Sequence, residues 1–486
     1  MSSLQGVLAA LDGAGLLVEA PPTLPQLTGV TDDSRSVQPG MLFCAVEGTA
    51  HDGHRFIPDA IAAGAVAILG AQRAPGEVAQ ILCRDSRLAA SVAAAHWYGD
   101  PGREMTLVGV TGTNGKTTTV SLTRHLLNQA GNAVSVGTLG AIDGQGRTLE
   151  GHDALTTPGA VELQEVLAEL RGAGVSTVVM EASSHALHQR RLAPLELAVG
   201  VFTNLTHEHL DYHGTLEDYR NAKALLIDFV GEHGTVVVNR DDNAWAALTP
   251  RPSQRAITFG MASADVVVSN PEYSRTDTRC TLTFDGIAVP TTIPLAGHFN
   301  VSNAAAAATV AWALGMKPEA IARRIASADP VPGRMEPLVE EGFSVIRDYA
   351  HTPDALERAI KALRPVTAGR LIVLFGAGGD RDKRKRPVMG AIAERLADVA
   401  VVTSDNPRTE DPDTIIDDIE TGMPLGNHVR ITDRREAVHH AVSLLNIDDC
   451  LLLAGKGHET YQIIGSDSMP FDEREIVEQA MTRHRS

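Results

Sequence analysis

The residues best suited to chemistry stand eight in a row, Thr111-Gly112-Thr113-Asn114-Gly115-Lys116-Thr117-Thr118, after the apolar run MTLVGV and before VSLTRHLLNQAG. The pattern reads as strand, glycine-rich loop, helix. Backbone N–H groups of such a turn, backed by a helix N-terminus, bind anions. In this arrangement Lys116 reaches the β- and γ-phosphates of a nucleotide, and the Thr117 hydroxyl ligates Mg²⁺. A strict Walker loop carries glycine five residues before Gly115, where this chain has Val110. The loop is therefore a variant, with Gly112 inside it. GTPases, kinases, motor ATPases and ligases all use such loops, so other residues must choose the reaction.

A strand expected at 176–180 leads into Glu181, in MEASSHAL. An acid at the carboxyl end of a neighbouring parallel strand lies in the crevice where nucleotide sits, and can ligate Mg²⁺. A second strand, at 198–202, runs into TNLTHEHLDYHG, where His207, His209, Asp211 and His213 alternate. Three readings are open: a zinc site, ordinary surface histidines, or a histidine on a nucleotide-bound metal. The segment lacks the helical i, i+4 pairing of zinc proteases. Lys223 follows on a helix expected over 218–223. By spacing it reads as a solvated lysine. Near Mg²⁺ an ammonium is electrostatically wrong, unless CO₂ converts it to a carbamate anion able to help hold a second ion.

The elements that position these residues require a long chain. At 486 residues it exceeds one core, and three domains are expected. Residues 1–103 carry short apolar runs at 41–46 and 65–69 between Gly- and Asp-rich turns, a small α/β domain. Residues 104–332 add strands at 176–180, 198–202 and 235–238 to a mostly parallel sheet. An alanine-rich helix is expected at 303–314. DPVPGRMEP, residues 329–337, reads as a linker. Beyond it, residues 333–486 form a second α/β unit, with strands at 344–347, 371–375, 399–403 and 450–453 and a helix at 387–397.

Hydrophobic residues make up 43% and charged residues 21%, an ordinary globular balance. The net charge of −18 argues against nucleic-acid partners, so positive charge for anionic substrates must be local. No signal peptide or membrane span is expected, and four scattered cysteines suit reduced thiols in a cytoplasm.

TGTNGKTT, MEASSH, NLTHEHLDYHG with YRNAK, LAGHFNVSNAAAA, PGRME and DYAHTP occur in the order found in Mur ligases, and the chain resembles that family over essentially its whole length. The resemblance implies a UDP-binding N-terminal domain, a central P-loop ATPase and a Rossmann-like C-terminal domain, acting as a monomer. It implies ATP on Gly112, Thr113, Asn114, Gly115, Lys116, Thr117, Thr118, Asn300, Arg334 and Asp348, with His351 helping to place the nucleotide. It also implies Glu181 and His209 as metal ligands beside Thr117, catalytic roles for Lys116, Lys223, His209 and Glu181, and a carbamate on Lys223 near two Mg²⁺ ions.

Within the family the motifs resemble those of the third amino-acid-adding ligases. This implies that UDP-N-acetylmuramoyl-L-alanyl-D-glutamate meets Ser34, Thr49, Ala50, His51, Thr156, Thr157, Ser183, Gln189 and Arg191. Asp405-Asn406-Pro407-Arg408 matches a signature for meso-diaminopimelate as opposed to lysine, with Arg381, Gly455 and Glu459 completing that pocket. Arg408 can take the extra carboxylate bidentately. The implied reaction is amide formation through an acyl phosphate, in peptidoglycan synthesis.

Three rivals are weaker. A folate-glutamylating enzyme of the same fold needs no UDP-binding first domain, yet about 100 residues precede the loop. A GTPase needs an Asn/Thr-Lys-x-Asp motif, which is missing after the loop. A dehydrogenase needs G-x-G-x-x-G, and LIVLFGAGG breaks it at Arg381.

Overall fold

The computed structural model describes residues 3–48, 52–74, 78–129, 131–149 and 155–484. The chain divides into two compact units, Met1–Val266 with Ala306–Met316, and Val267–Ala305 with Lys317–Ser486.

The first unit contains two sheets. One is five-stranded, in the order Leu17–Glu19, Ala79–Cys83, Ala67–Gly70, Met41–Cys44, Gly29–Thr31. Only Leu17–Glu19 runs antiparallel to its neighbour. Helices Leu4–Gly13 and Ser86–Trp97 pack together, and Val7, Leu11, Ala90 and Ala94 share a core with Leu42 and Leu69 of the sheet. Asp85 starts the second helix by accepting from Arg87 N and Leu88 N.

The other sheet runs Arg255–Gly260, Val230–Asn239, Leu197–Phe202, Thr106–Thr111, Thr177–Glu181, Ala133–Gly137, Gly140–Ile142. These seven strands of the sheet are parallel except at the terminal hairpin to Gly140–Ile142. Its central strand, Thr106–Thr111, is buried along five of six residues, which is why it reads as a continuous apolar run. The expected strands at 176–180, 198–202 and 235–238 all lie in this sheet.

In the second unit a six-stranded sheet runs Glu336–Glu340, Ser344–Asp348, Cys450–Ala454, Leu371–Phe375, Val399–Val402, Val429–Arg430. It is parallel except at Glu336–Glu340. Alternate residues serve opposite cores. Leu371, Val373 and Phe375 pack with helices Pro353–Leu363, Lys385–Leu396 and Pro412–Glu420, whereas Ile372 and Leu374 pack with Arg434–Ser443 and Glu473–His484. A strand used on both faces must be apolar at every position, as LIVLF is. The linker expected at 329–337 ends early, because Glu336 already opens a strand. Sequence reading missed the hairpins Thr278–Phe284 with Ile287–Ile293, and Tyr461–Ile464 with Asp467–Pro470.

Candidate active site

Strand Thr106–Thr111 pairs with Thr177–Glu181 on one side and Leu197–Phe202 on the other. The loop after it thus leaves the sheet where connections diverge, the place where open parallel sheets bind ligands. Gly112 has φ 148°, and a Cβ there would sit 1.9 Å from Thr203 Oγ1, so only glycine fits. Gly115, at φ 85°, caps helix Lys116–Leu127. The following segment of the neighbouring strand fixes the loop. Asn204 Oδ1 accepts from Asn114 N at 2.9 Å, and Thr203 Oγ1 and Asn204 Nδ2 donate to Asn114 O at 2.8 and 3.0 Å.

Lys116 Nζ folds back onto the carbonyls of Gly112 and Thr113, at 3.0 and 2.8 Å. Lys223 is 1% exposed and donates to the same Gly112 carbonyl at 2.7 Å, with its Nζ 4.5 Å from the Tyr219 ring centre. Burial, and next the charge of Lys116, push the Lys223 amine well below the usual lysine range. A solvated lysine is therefore the wrong reading of this position. Tyr219, Ala222 and Lys223 share the buried face of helix Leu216–Ala224 at i, i+3, i+4 spacing.

Glu181 ends its strand 1% exposed. Its Oε1 accepts from Thr117 Oγ1 at 3.0 Å and Thr138 N at 2.9 Å. Gly137 makes room for it, since a Cβ there would lie 2.4 Å from Oε1. His209 lies in the left-handed region (φ 55°) and is more exposed, its side chain 45% accessible. Its ring centre is 4.9 Å from that of His185 and 6.1 Å from that of Tyr219. Among the described residues no group of three His, Cys, Asp or Glu side chains is arranged to hold a metal.

The expected nucleotide-sugar residues continue the Glu181 network. Thr157 Oγ1 donates to Glu181 O at 2.8 Å and lies 3.2 Å from Ser183 Oγ. Arg191 Nη1 donates to Thr157 O at 3.1 Å, and its Nη2 to Gln189 Oε1 at 2.7 Å. Thr156 Oγ1 is 3.2 Å from Thr138 Oγ1. Ser34 opens a short 3-10 turn capped by Asp33. Thr49, Ala50 and His51 lie outside the described residues.

In the second unit the Arg334 guanidinium lies 4.7 Å from the Tyr349 ring centre, and Asp348 Oδ2 accepts from Met335 N at 2.8 Å. Burial lifts the Asp348 carboxyl to about 6 against the pull of Arg334. His351 Nδ1 is 2.9 Å from Tyr349 O. Asn300 is buried in helix His298–Ala313, its amide donating to Ala296 O at 2.8 Å and accepting from Asn303 at 3.0 Å.

The loops after strands Val399–Val402 and Cys450–Ala454 bring Asp405, Asn406, Gly455 and Glu459 together. Asn406 Nδ2 donates to Glu459 Oε2 at 2.9 Å. A Cβ on Gly455 would lie 3.1 Å from Asp405 Oδ2. Pro407 is buried, and Arg408, at φ 52°, donates to Gly379 O at 2.9 Å. Arg381 is exposed and donates to the Asp380 carbonyl at 3.3 Å. Lys456, which sequence reading passed over, is fully buried at the centre of this cluster. Its one sequence signal is its position in AGKGHE, between Gly455 and Glu459.

Three family models cover the chain in order: "Mur ligase family, catalytic domain" at 26–95, "Mur ligase middle domain" at 110–311 and "Mur ligase, glutamate ligase domain" at 333–457. A UDP-N-acetylmuramoyl-L-alanyl-D-glutamate--2,6-diaminopimelate ligase of Gloeobacter violaceus is 43% identical, covering 95% of each chain. The chain belongs to the Mur ligase family. It is an ATP-dependent, amide-forming ligase. A relative of the same name in Geobacillus kaustophilus is 41% identical over 94% of this chain and 95% of that protein. A solved structure of a ligase with that name superposes with TM-score 0.71 at 31% identity, over 100% of both chains. An ADP-bound MurF ligase of Thermotoga maritima shares the fold, with TM-score 0.62 at 21% identity over 94% of this chain and 97% of that one. Among the described residues no helix is long and apolar enough to cross a membrane.

Proposed function

We propose that this Mur ligase joins meso-diaminopimelate to the γ-carboxylate of the D-glutamyl residue of UDP-N-acetylmuramoyl-L-alanyl-D-glutamate, in the synthesis of a peptidoglycan precursor. The observation that carries this reading is the loop cluster bearing Arg408 with Asp405, Asn406, Gly455 and Glu459. Diaminopimelate differs from lysine by one carboxylate, and loops that carry both a guanidinium and two carboxylates offer partners for both charges of a zwitterionic amino-acid end. Relatives named for this substrate pair, at 41% and 43% identity over most of the chain, support it.

The γ-carboxylate attacks the γ-phosphorus of ATP, giving an acyl phosphate and ADP. The amine at the L-centre of diaminopimelate then attacks the acyl carbon, and phosphate leaves. Lys116 and the loop N–H groups meet the phosphates, while Arg191, Gln189, Thr156, Thr157, Ser183, Ser34, Thr49, Ala50 and His51 hold the nucleotide sugar. Asn300, Arg334, Asp348 and His351 serve the nucleotide. Arg381 with Arg408 receives the amino acid's carboxylate, and Glu459 its ammonium.

The residues fit magnesium. Glu181 is a buried carboxylate that accepts from the neutral groups of Thr117 and Thr138, and its hard oxygens, with the Thr117 hydroxyl 3.0 Å away, suit that ion. Thr117, Glu181, His209 and Lys223 would hold two ions, whose charge screens carboxylate from phosphate. The unprotonated amine is the form that adds to CO₂, and the burial that lowers the proton affinity of Lys223 supports a carbamate there.

Domain boundaries near 103 and 332 are consistent with where the family models begin and end. Cys44, Cys83, Cys280 and Cys450 are free and buried, which favours the cytoplasm. The working form is a monomer, a point that light scattering of the purified protein tests. The reaction itself is tested by mass spectrometry of the nucleotide-sugar product. It should gain one diaminopimelate less one water, only when ATP is present; an unchanged mass would remove the proposal.

A further inference from the structure

We propose that Lys456 is a positioning residue of the amino-acid pocket, an internal cation that ties two loops together and sets the charge the incoming amino acid meets. This rests on the reading of that pocket given above.

Strands Val399–Val402 and Cys450–Ala454 are not neighbours; each pairs with Leu371–Phe375 between them. Their loops must therefore be bridged across the end of the middle strand. Lys456, 0% exposed, makes the bridge: its Nζ lies 2.9 Å from Asn406 Oδ1, 3.0 Å from Glu459 Oε2 and 3.5 Å from Asp405 Oδ1. Asn406 is locked in turn, since its Oδ1 also accepts from Ile463 N at 3.0 Å and its Nδ2 donates to Glu459 Oε2. An ammonium in this place uses its three donors on three acceptors from two loops.

The charges decide what the pocket selects. Asp405 and Glu459 are two carboxylates that share one buried ammonium, which leaves both able to face the ammonium of the amino acid. The bonds to Glu459 fall on Oε2, and Gly455 places no side chain against Asp405 Oδ2, so each acid keeps an oxygen for a substrate donor. Without Lys456 the two acids would repel each other and turn apart. The Asp405 carboxyl, buried but facing Lys456, Arg434, His351 and Lys385, is held below its usual range.

The test uses the full-length enzyme with ATP, UDP-N-acetylmuramoyl-L-alanyl-D-glutamate and meso-diaminopimelate, comparing Lys456→Met, Lys456→Arg and Arg408→Ala with wild type. Losing a buried charge partner should raise the KM for diaminopimelate by about 30-fold or more in Lys456→Met, with both other KM values within about two-fold of wild type. If Lys456→Met does not fold, Lys456→Arg keeps the cation but replaces a point donor with a planar fork, and should still raise that KM by about ten-fold. Wild-type KM for diaminopimelate in a folded Lys456 variant, or three KM values rising together, overturns the role of Lys456. If Arg408→Ala also leaves that KM unchanged, the pocket reading falls and the proposal with it.

Discussion

Lys116 Nζ and Lys223 Nζ donate to one acceptor, the carbonyl of Gly112, at 3.0 and 2.7 Å. Two ammonium groups that close repel, and the buried one yields its proton more readily. A buried lysine beside phosphate-binding groups has a use once it carries an acidic group of its own.

Lys223→Ala should therefore lower kcat by roughly 10³-fold, the scale of losing a preorganised charged group at the reacting centre. Formate or acetate should restore part of that activity by filling the vacated space with a carboxylate. Steady-state kinetics with and without the small acid check this. A wild-type rate without any addition would rule out the carbamate.

Glu181→Gln keeps the size of the side chain and removes the charge that Thr117 and Thr138 surround. The variant should need a higher Mg²⁺ concentration for half-maximal rate and lose about 10²-fold in kcat. Its melting temperature should stay near that of wild type, because an amide oxygen still accepts from Thr138 N. An unaltered Mg²⁺ titration would separate Glu181 from the metal.

The legibility of the chain follows contact range. The phosphate loop could be read because its eight residues are contiguous, and strands such as Leu371–Phe375 because a sheet buried on both faces forces every position to be apolar. Lys223 could not be placed from its spacing alone, although Tyr219 and Ala222 mark its helix face; its burial depends on the Gly112 carbonyl, 111 residues away in sequence. Lys456 was missed for a similar reason, since its partners Asp405 and Asn406 arrive from another strand. Asn300 was legible only through its motif, since its bonds to Ala296 O and Asn303 lie close in sequence and carry no signal of a ligand.

Arg408→Lys should raise the KM for diaminopimelate about ten-fold or more, since an ammonium cannot reproduce the fork. The KM for ATP should not move. Initial rates at varied amino acid and varied ATP separate the two, and equal effects on both would detach Arg408 from the amino acid.

Asp348 sets a pH dependence of stability. Its carboxyl rises from 3.8 to about 6 on folding, so the folded state binds more protons between those values. Stability from this group therefore falls as pH rises from about 4 to 6, and the penalty persists above that range. Asp348→Asn should melt at the same temperature as wild type near pH 4 and higher above pH 6, by about 1–2 kcal/mol after discounting for solvent. Calorimetric scans across pH check this; a difference of opposite sign would assign the carboxyl a stabilising charge.

The most direct measurement is phosphate release with ATP, Mg²⁺ and UDP-N-acetylmuramoyl-L-alanyl-D-glutamate, with meso-diaminopimelate compared with L-lysine. The pocket built on Arg408, Asp405 and Glu459 predicts release that depends on the nucleotide sugar and on diaminopimelate, with little from lysine. Release with lysine alone would keep the ligase and contradict the assignment of its third substrate.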